Sequence, residues 1–151
     1  MNKTIPSILY VILLVSSNVT AESLLLPIVD VYDGDTIKTY TPLPVPLNKI
    51  SIRLFGIDTP ESPAASYAVT GKLGRAKCIK EAELALKAKA VVKDLADGAP
   101  YMKVANYKWD KYGGRIVGKV YIEGIDVADK LIQMELAVEY YGGKKTKDWC
   151  L

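Results

Sequence analysis

Residues 53–61 read RLFGIDTPE, a short apolar strand that carries an arginine and ends in two acids. Side-chain alternation along a strand would put Arg53 on the same face as Phe55 and Ile57. A charged group on a half-buried face needs a partner, and a guanidinium prefers planar anions such as carboxylate or phosphate. The stretch therefore predicts an anion beside Arg53.

The end of this stretch predicts a stiff turn. Pro60 fixes its own φ and biases Thr59 toward extended geometry, so Asp58 and Glu61 would project from a rigid strand end. Taken alone, the two acids could simply neutralise Arg53 and cap a loop, because structural ion pairs occupy similar settings.

The composition indicates one globular domain and excludes several kinds of chemistry. The chain has 151 residues, of which 50% are hydrophobic and 25% charged. A net charge of +3 is too small to indicate a polyanionic partner by itself. Because the sequence contains no histidine, Ser-His-Asp and Cys-His catalysis, histidine bases and the usual zinc sites are excluded. Any chemistry must come from carboxylates, arginine, lysine, tyrosine or a hard metal.

The N-terminal residues predict export. Residues 1–21 contain one charged residue, Lys3, followed by an apolar run over residues 5–15 and small side chains up to Ala21. This pattern is typical of a secretory signal cleaved after Ala21; the alternatives are a membrane anchor or a buried strand, but the run is shorter than the roughly 20 residues of a spanning helix. We expect the domain of residues 22–151 to be a monomer in a periplasm or the medium, without stable membrane insertion.

Two cysteines, Cys78 and Cys150, fit an exported protein with one disulfide. A catalytic or metal-binding thiol pair is the alternative, but it lacks both the CxxC spacing and a histidine.

Periodicity and turn signals predict five strands and two main helices. Residues 24–40 predict a first strand, a turn and a second strand. Asp33–Gly34 lies between β-branched residues and predicts a type I′ hairpin turn. A third strand over residues 50–57 is followed by a long loop over 58–77 and a helix over 78–98. Two more strands follow over residues 101–109 and 115–122. The second helix is predicted within residues 124–141, with Asp126 as its N-cap and a buried stripe of Val127, Leu131 and Met134. This order predicts an α+β, mainly β protein: a small, closed, five-stranded OB-fold barrel with two or three helices. OB-folds bind oligonucleotides or oligosaccharides, but the fold alone does not settle the function.

Four ordered blocks of the sequence resemble the staphylococcal nuclease (thermonuclease) family: YDGDT (32–36), RLFGIDTPE (53–61), DKYGGR (110–115) and GIDVADKLI with LAVEYY (124–141). The resemblance implies calcium-dependent cleavage of DNA and RNA phosphodiesters on an OB-fold. It implies Asp35, Asp58 and the backbone carbonyl of Thr59 as Ca²⁺ ligands, Arg53 and Arg115 as holders of the scissile phosphate, and Glu61 as the group that positions or deprotonates water.

The chemistry of these side chains agrees with the resemblance. Oxygen-only ligation suits a hard cation that keeps several waters. Phosphodiester hydrolysis adds negative charge to a phosphate, which a metal and two arginines would stabilise. A phosphate, and Glu61 between turnovers, would supply the anion beside Arg53.

The resemblance also implies nucleotide contacts by Lys111, Tyr112, Tyr140 and Tyr141. The alternative for the first two is a solvated turn. On a strand the adjacent tyrosines would point to opposite faces, so one would stack on a base and the other would pack. The lysines at 144, 145 and 147 indicate a solvated chain end rather than a phosphate track.

Two departures from the family pattern concern backbone turns. A second glycine precedes Arg115, which leaves the placement of that arginine open, and Glu135 stands where the family usually has glycine at the end of the second helix. The competing functions are a catalytically silent nucleic-acid or protein binding module and a cell-envelope OB-domain that binds oligosaccharide or protein. Silent relatives typically lose the carboxylates or arginines, whereas this chain keeps all five.

Overall fold

The structure, a computed structural model, describes residues 23–42, 48–111 and 113–151. The predicted signal segment, residues 1–21, lies outside these ranges, so its cleavage stays a prediction. No helix in the described ranges is both long and apolar enough to cross a membrane.

The described residues form nine strands and three helices. In chain order they are β1 (Ser23–Pro27), β2 (Asp30–Asp33), β3 (Thr36–Tyr40), β4 (Lys49–Leu54), β5 (Ile57–Asp58), α1 (Tyr67–Thr70), α2 (Ile79–Ala96), β6 (Tyr101–Trp109), β7 (Arg115–Ile122), β8 (Ile125–Asp126), α3 (Val127–Gln133) and β9 (Val138–Glu139).

One seven-stranded sheet dominates the molecule. Its order is β1-β6-β7-β4-β3-β2, with β8 added on β7, and β5 pairs separately with β9. Among these ladders only β4 and β7 run parallel. The prediction of an α+β, mainly β, OB-fold-like protein is confirmed.

Two details of the predicted barrel are wrong. The sheet has seven strands rather than five, and no ladder among the described strands joins β1 to β2 to close it. The strand count differs because the first predicted strand divides into β1 and β2, and because the short strand β8 is added on β7. The Ile28 amide donates to the Pro100 carbonyl at 3.0 Å, whereas the Val29 amide donates to the Lys38 carbonyl at 3.0 Å. Consecutive residues thus bond to opposite ends of the sheet.

The strand carrying Arg53 ends earlier than predicted. β4 stops at Leu54, and Gly56 turns the chain with a φ of 84° before β5. Because this turn interrupts the alternation, Ile57 is buried in the core, and Arg53 instead shares an outward face with Lys49 and Ser51. The predicted apolar face around Arg53 is therefore wrong.

Helix α2 packs closely on the β2–β3 hairpin. Its inward face is small, with Ala82, Ala85, Ala88 and Val92 buried. A Cβ on Gly34 would lie 2.7 Å from the Cβ of Ala88, so the helix requires glycine at that position. Gly34 has no positive φ, so the predicted type I′ turn is wrong and helix packing explains this glycine instead.

Both main helices begin where the sequence predicts. The Cys78 Sγ accepts from the Glu81 amide at 3.4 Å and caps α2, and Cys78 forms the predicted disulfide with Cys150. Asp126 caps α3 as predicted by accepting from two amides. Met134, however, lies beyond the last turn and is 45% exposed, so its predicted place in the buried stripe is wrong.

Candidate active site

A cavity of about 240 Å³ opens where the β2–β3 hairpin, β4, β7 and the loop after β5 meet. These elements are adjacent because β4 pairs with β3 on one side and with β7 on the other. The cavity brings together five of the six predicted catalytic and metal-binding residues: Asp35, Arg53, Thr59, Glu61 and Arg115.

Asp35 is the anion beside Arg53. The Arg53 Nη2 lies 3.0 Å from Asp35 Oδ2, so the predicted anionic partner is present but is not Glu61. Thr36 Oγ1 donates to Asp35 Oδ1 at 2.9 Å. Burial, with repulsion from Asp33, raises the pKa of Asp35 to about 6, although Arg53 and the Thr36 hydroxyl pull it the other way.

Arg115 lines the cavity despite the second glycine that precedes it. Gly113 and Gly114 have φ values of 68° and 60°, and the Asp110 amide donates to the Arg115 carbonyl at 2.9 Å, which closes the loop. Arg115 then starts β7 opposite Ser51 in the parallel ladder. Its Nε donates to Asp110 Oδ2 at 2.6 Å, and Nη2 contacts the same oxygen. Arg53 and Arg115 thus each contact a carboxylate that orients the guanidinium.

The Glu61 loop is fixed by a buried carboxylate that the sequence analysis missed. Glu81, in the first turn of α2 and 2% exposed, accepts from the Glu61 amide at 3.2 Å and from the Lys77 amide at 2.6 Å. Its position three residues after the N-cap Cys78 is the capping-box spacing, which could have revealed it. The Glu61 side chain contacts Arg75, whose Nε lies 3.4 Å from Oε2. Arg75 has no comparable sequence signal.

Asp58 is not among the described residues that line the cavity, but Lys145 of the C-terminal tail contacts both it and the cavity. Asp58 is 4% exposed, and its Oδ1 receives no aligned hydrogen bond from the described residues. Lys145 Nζ approaches this oxygen obliquely at 2.7 Å and also donates to Glu61 Oε1 at 3.0 Å. Lys145 is exposed, as expected of a solvated chain end, but it also contacts two acids of the predicted site. Partial burial lowers the pKa of Lys145, but its contacts with Asp58 and Glu61 outweigh that effect and raise it.

Comparison with known families agrees with this geometry. The family described as staphylococcal nuclease homologue matches residues 51–150, which are 100 of the 151 residues. The chain belongs to this family. No curated protein matches the chain significantly.

In this staphylococcal nuclease homologue, the metal ligands that the described cavity residues offer are oxygen atoms. Among the described residues no three His, Cys, Asp or Glu side chains are grouped to hold a metal ion. Asp35, Asp58 and the Thr59 carbonyl fit a hard cation that retains several waters. The buried Asp58 Oδ1 without an aligned donor is an oxygen that a cation would satisfy.

Three of the four predicted nucleotide contacts of the homologue are described, and these three, Lys111, Tyr140 and Tyr141, do not line the cavity. Tyr140 and Tyr141 follow β9 rather than continuing it, and neither is among the described residues lining the cavity. Tyr141 is 72% exposed, and its ring meets Phe55 edge to face at 5.7 Å. Tyr140 donates its hydroxyl to the Gly143 carbonyl at 2.7 Å. Lys111 lies in an exposed turn, and Tyr112 lies outside the described residues.

Proposed function

We propose that this protein is an exported, calcium-dependent nuclease that hydrolyses phosphodiester bonds in DNA or RNA. The observation that carries the proposal is the single cavity shared by two guanidinium groups, Arg53 and Arg115, with the carboxylates of Asp35 and Glu61. Membership of a nuclease family supports the reaction class. The disulfide between Cys78 and Cys150 supports an oxidising compartment, in a periplasm or the medium.

The arginines bind the scissile phosphate and stabilise its added charge. Arg53 and Arg115 start from adjacent strands, and each is oriented by a carboxylate, Asp35 or Asp110. Guanidinium forks held in this way can donate paired hydrogen bonds to phosphate oxygens. Because the donors are in place before reaction, they favour the transition state over the ground state.

Glu61 positions the attacking water and accepts its proton. Its backbone is anchored by Glu81, which keeps the carboxylate in a defined place at the cavity rim. Asp35, Asp58 and the Thr59 carbonyl would hold Ca²⁺. When bound, the cation supplies positive charge that stabilises the developing oxyanion and lowers the pKa of a bound water.

The substrate chain extends from the cavity across the outward face of β2, β3 and β4. The Lys38 Nζ lies 4.9 Å from the ring centre of Tyr32, and the Lys49 Nζ lies 5.8 Å from the ring centre of Tyr40. Lys38 and Ser51 line both the active cavity and the adjoining cleft that contains Tyr40 and Lys49. Alternating lysines and exposed tyrosines suit a single strand, whose phosphates and unstacked bases they can contact.

Hydrolysis of denatured DNA and of RNA by the purified, oxidised protein tests this proposal. We expect cleavage in Ca²⁺ and none in excess chelator. A parallel reaction in Mg²⁺ establishes the metal preference. Binding without cleavage in every metal would contradict the proposal and favour a silent binding module.

Replacing Glu61 separates catalysis from binding. Glu61→Gln should lower kcat by about a hundredfold or more with little change in affinity for DNA, since it removes a group needed only for the chemical step. Glu83→Gln, on the exposed side of α2, is the matched control and should retain full activity. Equal losses of kcat and affinity in Glu61→Gln would count against its role with water.

A further inference from the structure

The tail lysine Lys145 joins the two acids to which the proposed function gives different tasks. Its Nζ lies 2.7 Å from Oδ1 of Asp58, a proposed metal ligand, and 3.0 Å from Oε1 of Glu61, the proposed base. We propose that the Lys145 ammonium and the divalent cation are alternative occupants of this place, so that Lys145 sets the metal affinity of the site. The inference rests on the proposed function.

The burial of Asp58 makes the two occupants exclusive. The Asp58 side chain is only 5% exposed, so a cation can reach its Oδ1 through few directions. Lys145 occupies one of them at contact distance. A divalent ion bound to the same oxygen would meet the ammonium charge at close range in a partly desolvated site, where like charges repel strongly. Lys145 must therefore leave before the cation binds.

The tail is built so that Lys145 returns to the same place. Gly142 and Gly143, with φ values of 112° and 86°, turn the chain after Tyr141. On the other side, Trp149 is buried and Cys150 is bonded to Cys78 at the start of α2. Residues 144–148 lie between this turn and the buried Trp149. The ammonium thus stays at a high local concentration near the acids even when displaced.

Lys145 differs from the other cation at Glu61. Arg75 pairs with Asp33 at 3.3 Å as well as with Glu61, and its side chain is 57% exposed. No contact joins Arg75 to Asp58 among the described ion pairs. Lys145 alone of these two bridges the proposed ligand and the proposed base, so it is the residue whose removal should open the cation site.

Direct measurement of metal binding tests the inference without relying on activity. Calcium titrations by calorimetry would compare the oxidised wild-type protein with Lys145→Met, Lys145→Arg and Lys144→Met. Lys144 is the exposed neighbour and serves as the matched control. We expect Lys145→Met to bind Ca²⁺ about tenfold more tightly, because it removes a competing positive charge. Lys145→Arg and Lys144→Met should bind no more tightly than wild type.

The outcomes separate this inference from the proposed function. Unchanged or weaker Ca²⁺ binding by Lys145→Met would overturn the competition while leaving a calcium site in place. Equal tightening of Ca²⁺ binding by Lys144→Met would also overturn the competition, since the general charge of the tail would then be the cause. Absence of Ca²⁺ binding in all four proteins would overturn both the inference and the calcium-dependent mechanism.

Discussion

At the scale of single residues, the buried carboxylate of Glu81 connects the start of α2 to the loop that carries Glu61. It accepts two backbone hydrogen bonds, one from Glu61 and one from Lys77. Both donors would lose this partner if the acceptor were removed, and an unpaired amide in a partly buried site is destabilising. Glu81 is thus a positioning residue that acts on the site through the Glu61 backbone.

Replacing this carboxylate with an amide should loosen the loop. Glu81→Gln places an N–H₂ group toward one of the two amide donors, so we expect the free energy of unfolding to fall by about 1–3 kcal/mol. Urea denaturation measures this loss, with Glu83→Gln as the exposed control on the same helix. Equal stability of the two variants would show that the buried hydrogen bonds contribute little.

Single residues also show what the sequence could predict. The sequence required an anion for Arg53, but choosing Asp35 over Glu61 depends on the turn at Gly56, which redirects the chain after β4. Lys145 was beyond prediction because its place depends on tail geometry fixed by a distant disulfide. Local sequence patterns hold no information on such long-range contacts, whereas the N-cap residue Asp126 is predictable since its partners lie within three residues.

At the scale of elements, strands and helices were predictable where local periodicity is uninterrupted. β7 has the predicted bounds, 115–122, because alternation continues along it. β6 keeps its predicted bounds, 101–109, although a bulge between Ala105 and Lys108 shifts its alternation. The first predicted strand failed because tertiary pairing bends it into β1 and β2. Glu135, with a φ of 58°, adopts the left-handed conformation that the family's usual glycine would favour, so this helix end is preserved despite the substitution.

If the outward face of β3 and β4 binds the substrate strand, changes on this face should affect long substrates but not short ones. Removing a base platform and a phosphate contact with the double change Tyr40→Ala and Lys49→Ala should weaken binding of a 12-nucleotide single strand about tenfold, since stacking contributes roughly 1–3 kcal/mol per base. Hydrolysis of a dinucleotide should stay unchanged. Fluorescence anisotropy measures binding of the 12-nucleotide strand, and steady-state kinetics measures hydrolysis of the dinucleotide.

A matched pair lies on a different part of the sheet. Tyr101 and Lys103 are both exposed on β6 and line a separate cavity. Tyr101→Ala with Lys103→Ala should therefore leave long and short substrates unaffected. Equal weakening by both double variants would mean that general surface charge, rather than a defined track, binds the strand.

At the scale of the whole molecule, the disulfide holds the C-terminal tail on the domain. It joins Cys78 and Cys150 across a sequence separation of 72 residues. Closing a loop of this length restricts the unfolded chain, so the chain-entropy model gives about 4 kcal/mol of stabilisation. The paired change Cys78→Ser and Cys150→Ser should lower the free energy of unfolding by about that amount, measured by denaturant titration beside the oxidised protein. A loss below about 1 kcal/mol would place the stabilisation elsewhere.

The parallel pairing of β4 with β7 means that the candidate site does not exist before the protein folds. This ladder joins residues 51–54 to residues 115–118, and the two guanidinium groups become neighbours only once it has formed. Contacts between segments so distant in sequence form late in folding. If the protein is exported as proposed, the unfolded chain in transit has no assembled site. The site then cannot act on the nucleic acids of the cell that makes it, because folding is completed only on the far side of the membrane.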